Sequence, residues 1–393
     1  MAANTMTQPG LKIGRIFGIP IYVHGSWFII FALITLSLTG QYAGEHPHWS
    51  KAQHWIAGAL TSLLFFGSVI FHELAHSVVA LRYKVPVLSI TLFVFGGLAR
   101  LGREPEKARH EFNIAVAGPL SSYFLAAVFW GLSKVFPQSE LAGALGGWLA
   151  TVNFALATFN LIPGFPLDGG RMLRAAVWGI NKDFAKATRI ASGTGQLLAY
   201  AMILYGVYTA MGGDLFGGIW IGFIGWFVLT AAQESYAQVT IRNYLRGLTA
   251  ADVMTTELPS VSRDISIEDY VQELLRTGRR CHLVTGAGKL VGLVSAHNLS
   301  AIPREDWANT PIQAAMLPRD KIHWARPDES LLSILERMQE HDINQMPVVQ
   351  DETVVGLVTR DSILRVIQTR LELGIAAADR ATGRGEWQTD HRK

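Results

Sequence analysis

The sequence holds a single cysteine, Cys281, in 393 residues, so no disulfide can close within the chain. Charge is scarce too. Asp, Glu, Lys and Arg make up 17% of the residues, against ~25% in soluble proteins, which argues against a chain soluble throughout. The net charge of +3 is small and its basic residues gather loop by loop, so no nucleic-acid partner is expected. No long apolar core precedes Gly25 and no small-residue cleavage site follows one, so no cleavable signal peptide is expected. Apolar residues, by contrast, are abundant. Half the residues are hydrophobic, the mean hydropathy is +0.25, and there are 11 Trp and 38 Gly. Gly and interfacial aromatics are favoured in membrane bundles, so the composition predicts a polytopic membrane protein.

The shortage of charge is uneven. Apolar runs dominate residues 1–240, whereas charged residues recur in nearly every turn beyond the boundary near 242–250. Spanning ~30 Å of hydrocarbon takes ~20 apolar residues. Six candidate spans follow: 26–38, 55–81, 112–136, 141–162, 190–211 and 215–232. Basic residues cluster on alternate loops. Lys12 and Arg15 precede the first span, Arg82 to Arg109 lie between the second and third, Arg171 to Arg189 between the fourth and fifth, and Arg242 and Arg246 follow the sixth. The other loops carry only Lys51 and Lys134. By the positive-inside rule both termini and the polar half face the cytoplasm, in a multi-pass protein of the cell membrane. Residues 85–101, VPVLSITLFVFGGLARL, are β-branched, aromatic and broken by Pro86, Gly96 and Gly97. They predict a membrane-associated β-hairpin, either re-entrant or on the cytoplasmic surface.

The chemistry concentrates in SVIFHELAHSVVALRYK. His72 and His76 are i and i+4, so on a helix both imidazoles leave one face and can share a metal ion. Glu73 stands beside the first, placed to accept a proton from water that the metal activates. A bare HExxH also arises on solvated helix faces. Here, however, His72 lies about 15 Å inside the membrane, counting back from Arg82 at ~1.5 Å per residue, where such groups are costly without a function. Zinc needs a third protein ligand and an open fourth position. The candidate is Asp168 in NLIPGFPLDGGR, where Pro163, Gly164 and Pro166 interrupt the fourth span. An ordinary helix N-cap is the competing reading of Asp168. Few other acidic residues in the membrane half can complete the site, which favours the ligand.

HELAH within one span and NLIPGFPLDGG at the end of another resemble the site-2 protease family of intramembrane metalloproteases. The resemblance covers most of residues 11–235 and extends to PIYVHGSW, to the FGG of the hairpin and to AGPL in the third span. It implies one Zn2+ per chain held by His72, His76 and Asp168, with Glu73 as catalytic base. It also implies that Asn160 holds the substrate or the oxyanion, and that the reaction is peptide-bond hydrolysis within the membrane. A substrate helix must unwind to be cut, and the hairpin could hold it as an added strand, with Gly96 and Gly97 allowing close approach. The implied partners are membrane lipid and a membrane-protein substrate such as an anti-sigma factor or another tethered regulator.

The other histidines read more plainly. His24 is an interfacial histidine or lines water entry; His46, His48 and His54 lie at the far side of the membrane; His110 and Glu111 read as loop. Gly143 and Gly147 form a GxxxG expected to pack helices within the bundle.

After Thr249 the chain repeats itself. Helices at 264–278 and 328–341 each precede a strand pair, HLVTGAGKLVGLVS and MPVVQDETVVGLVT, and a closing helix. Neither repeat can bury much core alone, so the two should pack together. They resemble a pair of cystathionine-β-synthase (CBS) modules, here 248–302 and 312–369, an α/β tandem that implies an adenosine-nucleotide site. The family's Ser or Thr followed three residues on by Asp falls on Ser295 with Asn298 and Thr359 with Ser362. Neither repeat keeps that Asp, although Asp361 is one residue away, so a structural role or homodimerisation through the pair is equally open. Residues 376–393 are polar and Gly-containing and are expected to be disordered. The alternative for the whole chain is a CBS-regulated membrane transporter or channel; it would spread ionisable residues over several spans, whereas here they gather on two motifs.

Overall fold

A computed structural model describes residues 10–373 except 95, 136, 137, 280, 287, 288 and 352; the 376–393 tail and Phe95 of the hairpin lie outside the described residues. The chain forms two compact units, Met1–Val239 and Thr240–Lys393.

The first unit opens on strands. β1 (Leu11–Ile16) and β2 (Ile19–Val23) form a hairpin whose turn residues, Phe17 and Gly18, both have positive φ, 51° and 81°. That backbone matches the strand twist of a two-residue hairpin. Two helices follow, α1 (Gly25–Glu45) and α2 (Lys51–Arg82), then β3 (Val87–Phe93) and β4 (Gly96–Leu101). The expected hairpin at 85–101 is therefore present, but as half of a four-stranded sheet ordered β1-β2-β3-β4, with β2 parallel to β3. Gly96, at φ 128°, begins β4 in a conformation that residues with a Cβ rarely adopt.

The remaining helices are α3 (Ala108–Val135), α4 (Glu140–Asn160), α5 (Asp168–Asn181), α6 (Phe184–Met211) and α7 (Leu215–Leu245), the last ending in the second unit. Six of the seven helices α1–α7, all but α5, are long and apolar enough to cross a membrane. The expected spans stop short of several helices, α7 among them, which runs to Leu245 rather than to residue 232. α1 continues through polar TGQYAGE to Glu45, and α6 begins at Phe184, capped by Asp183, whose carboxylate accepts from Lys186 N at 2.9 Å. α2 starts on a capping box: Ser50 accepts from Gln53 N while Gln53 accepts from Ser50 N. The GxxxG expectation needs correcting. A Cβ on Gly143 or Gly147 would meet nothing, whereas one on Gly146 would sit 2.8 Å from Phe129 O of α3. The residue that brings α4 close to α3 lies on the neighbouring face.

In the second unit the first repeat contributes β5 (Ser260–Ser262), α8 (Ile267–Thr277), β6 (Cys281–Gly286) and β7 (Lys289–Ser295), and its sheet is completed by β8 (Leu317–Pro318). The second contributes α9 (Leu331–Glu340), β9 (Gln345–Gln350), β10 (Thr353–Thr359) and α10 (Arg360–Glu372). Only the second repeat closes with an α-helix. The first ends in a 3-10 turn, Ala296–Ala301, because Pro303 follows at once and disfavours helix in the residue before it. The lead-in segments are exchanged: Leu245, Leu248 and Ala250 pack in the core of the second repeat, and Ile312 in that of the first. A third cluster joins Leu283 and Leu293 to Leu357, so the two repeats share apolar surface.

Candidate metal centre

Three elements meet at one point. His72 and His76, one turn apart on α2, and Asp168, the first residue of α5, are 5%, 5% and 9% exposed. Asp168 Oδ2 lies 3.2 Å from His72 Nε2 and 3.1 Å from His76 Nε2, and the two nitrogens are 3.2 Å apart. The N-cap of α5 is Leu167, with no side-chain cap bond, so the capping role weighed for Asp168 is not the one it takes.

The tautomer of His76 follows from its outer partner. His76 Nδ1 lies 2.7 Å from the carbonyl oxygen of Ile114, which can only accept, so Nδ1 carries the proton and Nε2 presents a lone pair. His72 Nδ1 is 2.9 Å from Ser122 Oγ, a hydroxyl able to accept its proton, and in that tautomer His72 Nε2 also presents a lone pair. Three electron-rich atoms thus face a common centre, an arrangement that calls for a cation. Neighbouring ligands of a tetrahedral ion with bonds of ~2.0–2.1 Å stand about 3.3 Å apart, so the observed triangle fits zinc. Asp168 lies outside the six apolar helices. Burial by itself would raise its carboxyl, but the facing imidazoles of His76 and His72 outweigh that and hold it below the ordinary carboxylate range.

The space for the ion is made by α3. A Cβ on Gly118 would fall on His76 Nε2 and within 2.6 Å of His72 Nε2. Ile114, Gly118 and Ser122 recur at four-residue intervals, so one stripe of α3 supplies the carbonyl, the gap and the hydroxyl. The same stripe begins at Glu111. Read in the sequence as loop, Glu111 is in the first turn of α3, wholly buried, and paired with Arg174 of α5. The Arg174 guanidinium also reaches Glu104 at 3.4 Å and lies between the rings of Phe165 and Phe184, 4.8 and 4.6 Å from their centroids. Arg174 therefore fixes the helix that carries Asp168. Gly169 and Gly170 let that helix start against the preceding turn, where a Cβ would strike Leu161 O or the Gly164 carbonyl carbon.

Glu73 does not face this triangle alone. Its Oε2 accepts from the backbone N–H of Ala99 on β4 at 3.2 Å, and a Cβ on Gly97 would come within 2.6 Å of its Cγ. The hairpin thus reaches Glu73, nine residues before the end of α2 and about 14 Å along it. Gly96 lies two residues closer to the turn than Leu98. Asn160 is the last residue of α4, half-buried, seven positions before α5 is capped.

Other expected sites take quieter roles. His24 is the N-cap of α1, its Nδ1 accepting from Ser26 N at 3.2 Å. His54 is buried and bonds the carbonyl of His46. In the second unit Ser295 Oγ donates to Asn298 Oδ1 at 2.7 Å, and Thr359 Oγ1 accepts from Ser362 N at 3.0 Å. Each pair is a helix cap bonded within itself.

Comparison with known proteins adds the following. Residues 60–146 and 137–204 match peptidase family M50, and residues 250–303 and 314–369 match the CBS domain. The chain is 36% identical over 366 residues to “Putative zinc metalloprotease sll0528” of Synechocystis sp., an alignment covering 91% of this chain and 96% of that one. It is 34% identical to “Putative zinc metalloprotease Rip3” of Mycobacterium tuberculosis over 92% of this chain and 93% of that one. A solved structure, “Site-2 Protease from Methanocaldococcus jannaschii”, is 32% identical and covers 57% of this chain and 94% of its own, with a TM-score of 0.42.

Proposed function

The chain belongs to peptidase family M50, as a zinc metalloprotease of the site-2 type with a C-terminal CBS pair, and on that premise we propose that it cuts membrane-tethered proteins within their spanning segments. The observation that carries this reading is the meeting of His72, His76 and Asp168 inside a helix bundle, with Glu73 alongside and bonded to an edge strand.

His72, His76 and Asp168 would hold the zinc, with Ser122 and the Ile114 carbonyl orienting the two rings. Zinc held there supplies the Lewis acidity that makes water a nucleophile near neutral pH. Glu73 takes the proton from the attacking water and passes it to the leaving amine nitrogen. Ala99 N–H keeps the Glu73 carboxylate turned toward β4. Asn160 is assigned to the substrate carbonyl. β4 is the outer strand of its sheet, and an unwound substrate segment can pair along such an edge.

The basic loops favour cytoplasmic termini, a cytoplasmic CBS pair and release of the product on that side. A tethered regulator such as an anti-sigma factor fits as substrate, and the CBS pair fits a regulatory or dimerising module. The test is Glu73→Gln, purified with its lipid and presented with a membrane-tethered substrate. Zinc at the His72–His76–Asp168 site should be retained at the wild-type level while cleavage falls by at least ~10²–10⁴-fold. Cleavage at the wild-type rate would refute the mechanism. The same variant, crosslinked in cells, should retain the uncut substrate for identification.

A further inference from the structure

A second group of ligand-type side chains lies at the other end of α2, remote from the catalytic centre. His46 and His48 stand on the α1–α2 turn and Glu140 is the first residue of α4. One ligand atom from each lies within 4.8 Å of the others. His72 is 21 residues after the start of α2, so the two groups are about 30 Å apart.

We propose that His46, His48 and Glu140 form a second metal site, for a borderline divalent transition-metal ion such as Zn2+, Ni2+ or Cu2+. Two imidazoles and one carboxylate suit such ions, whereas Ca2+ and Mg2+ require a larger set of oxygen ligands. The turn is built to present this set. His46 stacks on Trp49 at 4.2 Å and 9°, which fixes its ring plane. Its carbonyl accepts from His54 Nε2 and its N–H donates to Tyr42 O, which fixes its backbone. So held, His46 Nδ1 stands 3.9 Å from Glu140 Oε2, too far for a hydrogen bond but near the spacing of two ligands around one ion.

The same oxygen accepts from Trp49 Nε1 at 3.0 Å and lies 2.5 Å from His48 Nε2. His48 and Glu140 are more than half exposed, so both can rotate by an ångström or so to admit an ion, with water completing its shell. Beneath the turn, Leu38, Tyr42, Ala57 and Leu145 form a buried cluster against which Trp49 packs. A metal bound above it would tie the α1–α2 turn to the start of α4. The simple alternative is a hydrogen-bonded His–Glu pair that binds no ion, and the two readings differ in stoichiometry.

The experiment uses the full chain in detergent micelles, with Zn2+ as the probe. After equilibration with micromolar Zn2+ and removal of the free ion, wild-type protein should retain two ions per chain. The His72→Ala variant should retain one, and adding His48→Ala or Glu140→Gln should bring it to none. A single ion in the wild type, or a second ion indifferent to both added changes, would overturn the proposal. Should His72→Ala fail to fold, Cu2+ titrated into zinc-loaded wild-type protein gives an independent reading. Its paramagnetic resonance should show coupling to two nitrogens, reduced to one by His46→Ala. A spectrum unaltered by that change would equally overturn it.

Discussion

The backbone N–H of Ala99 donates to Oε2 of Glu73 at 3.2 Å, so an outer strand of the sheet and the proposed general base are joined by a hydrogen bond. On the proposed mechanism the bond would make β4 part of the catalytic apparatus as well as a docking edge. Ala99→Pro removes the donor at an edge position, where proline is tolerated. We expect zinc content to be unchanged and kcat to fall by about tenfold or more, the scale of one charge-assisted hydrogen bond of ~1.5–3 kcal/mol. Unchanged kcat would mean that Glu73 is oriented without the strand.

Gly97 tests the same junction from the steric side. A Cβ there would come 2.6 Å from Glu73 Cγ and 3.2 Å from Val69 Cγ1. Replacing Gly96 and Gly97 together by Val should therefore abolish cleavage while leaving zinc bound. Full cleavage by the double variant would defeat the idea that substrate pairs along β4.

Gly118→Ala places a methyl group where the ion must sit. Zinc should be lost from this site, and with it activity, although the α3 helix has every reason to remain. Ser122→Ala is the milder companion. It removes the partner of His72 Nδ1, and such losses typically cost about 10–100-fold in metal affinity. Metal analysis across a chelator series would rank wild type above Ser122→Ala above Gly118→Ala; any other order would contradict the assignment.

The contrast between these residues and HELAH shows what was legible in the sequence. His72, Glu73 and His76 announce themselves because residue type and helical spacing carry the chemistry. Asp168 was found through the prolines that break the span before it. Gly118 and the Ile114 carbonyl leave no such mark, since one acts by lacking a side chain and the other through its backbone. Glu111 was misread as loop because its partner, Arg174, is 63 positions away and gives no local signal. The β1–β2 hairpin was not expected although LKIGRI-FG-IPIYV alternates and turns at Phe17-Gly18, and its strands of six and five residues are of ordinary length, so its signal was legible.

Glu111 and Arg174 yield a stability prediction. Both are buried, and Glu111 Oε2 has no hydrogen-bond partner among the described residues, so Arg174 is the chief compensation of that charge, with Arg171 a further positive group nearby. Arg174→Met strands a buried carboxylate and should cost roughly 3–5 kcal/mol. Adding Glu111→Met should restore much of that. Thermal unfolding of the four proteins in detergent measures the coupling; additive losses would show that the pair does not act as a unit.

The CBS pair supplies the last prediction. A nucleotide ribose would need free hydroxyl or carboxylate acceptors at Ser295, Asn298, Thr359 or Ser362, yet each pair is spent on capping its own helix. Asp361, the nearest carboxylate, is exposed in the first turn of α10 and one residue out of register. Binding would therefore have to break a cap worth about 1 kcal/mol without gaining the missing carboxylate. A ligand at 100 times its Kd stabilises the folded state by about 2.7 kcal/mol, enough to move an unfolding transition visibly. We expect millimolar ATP or AMP to leave the unfolding of the second unit unmoved within the full chain. A clear upward shift, lost in Thr359→Val, would instead establish a nucleotide site in the second repeat and make the pair a sensor.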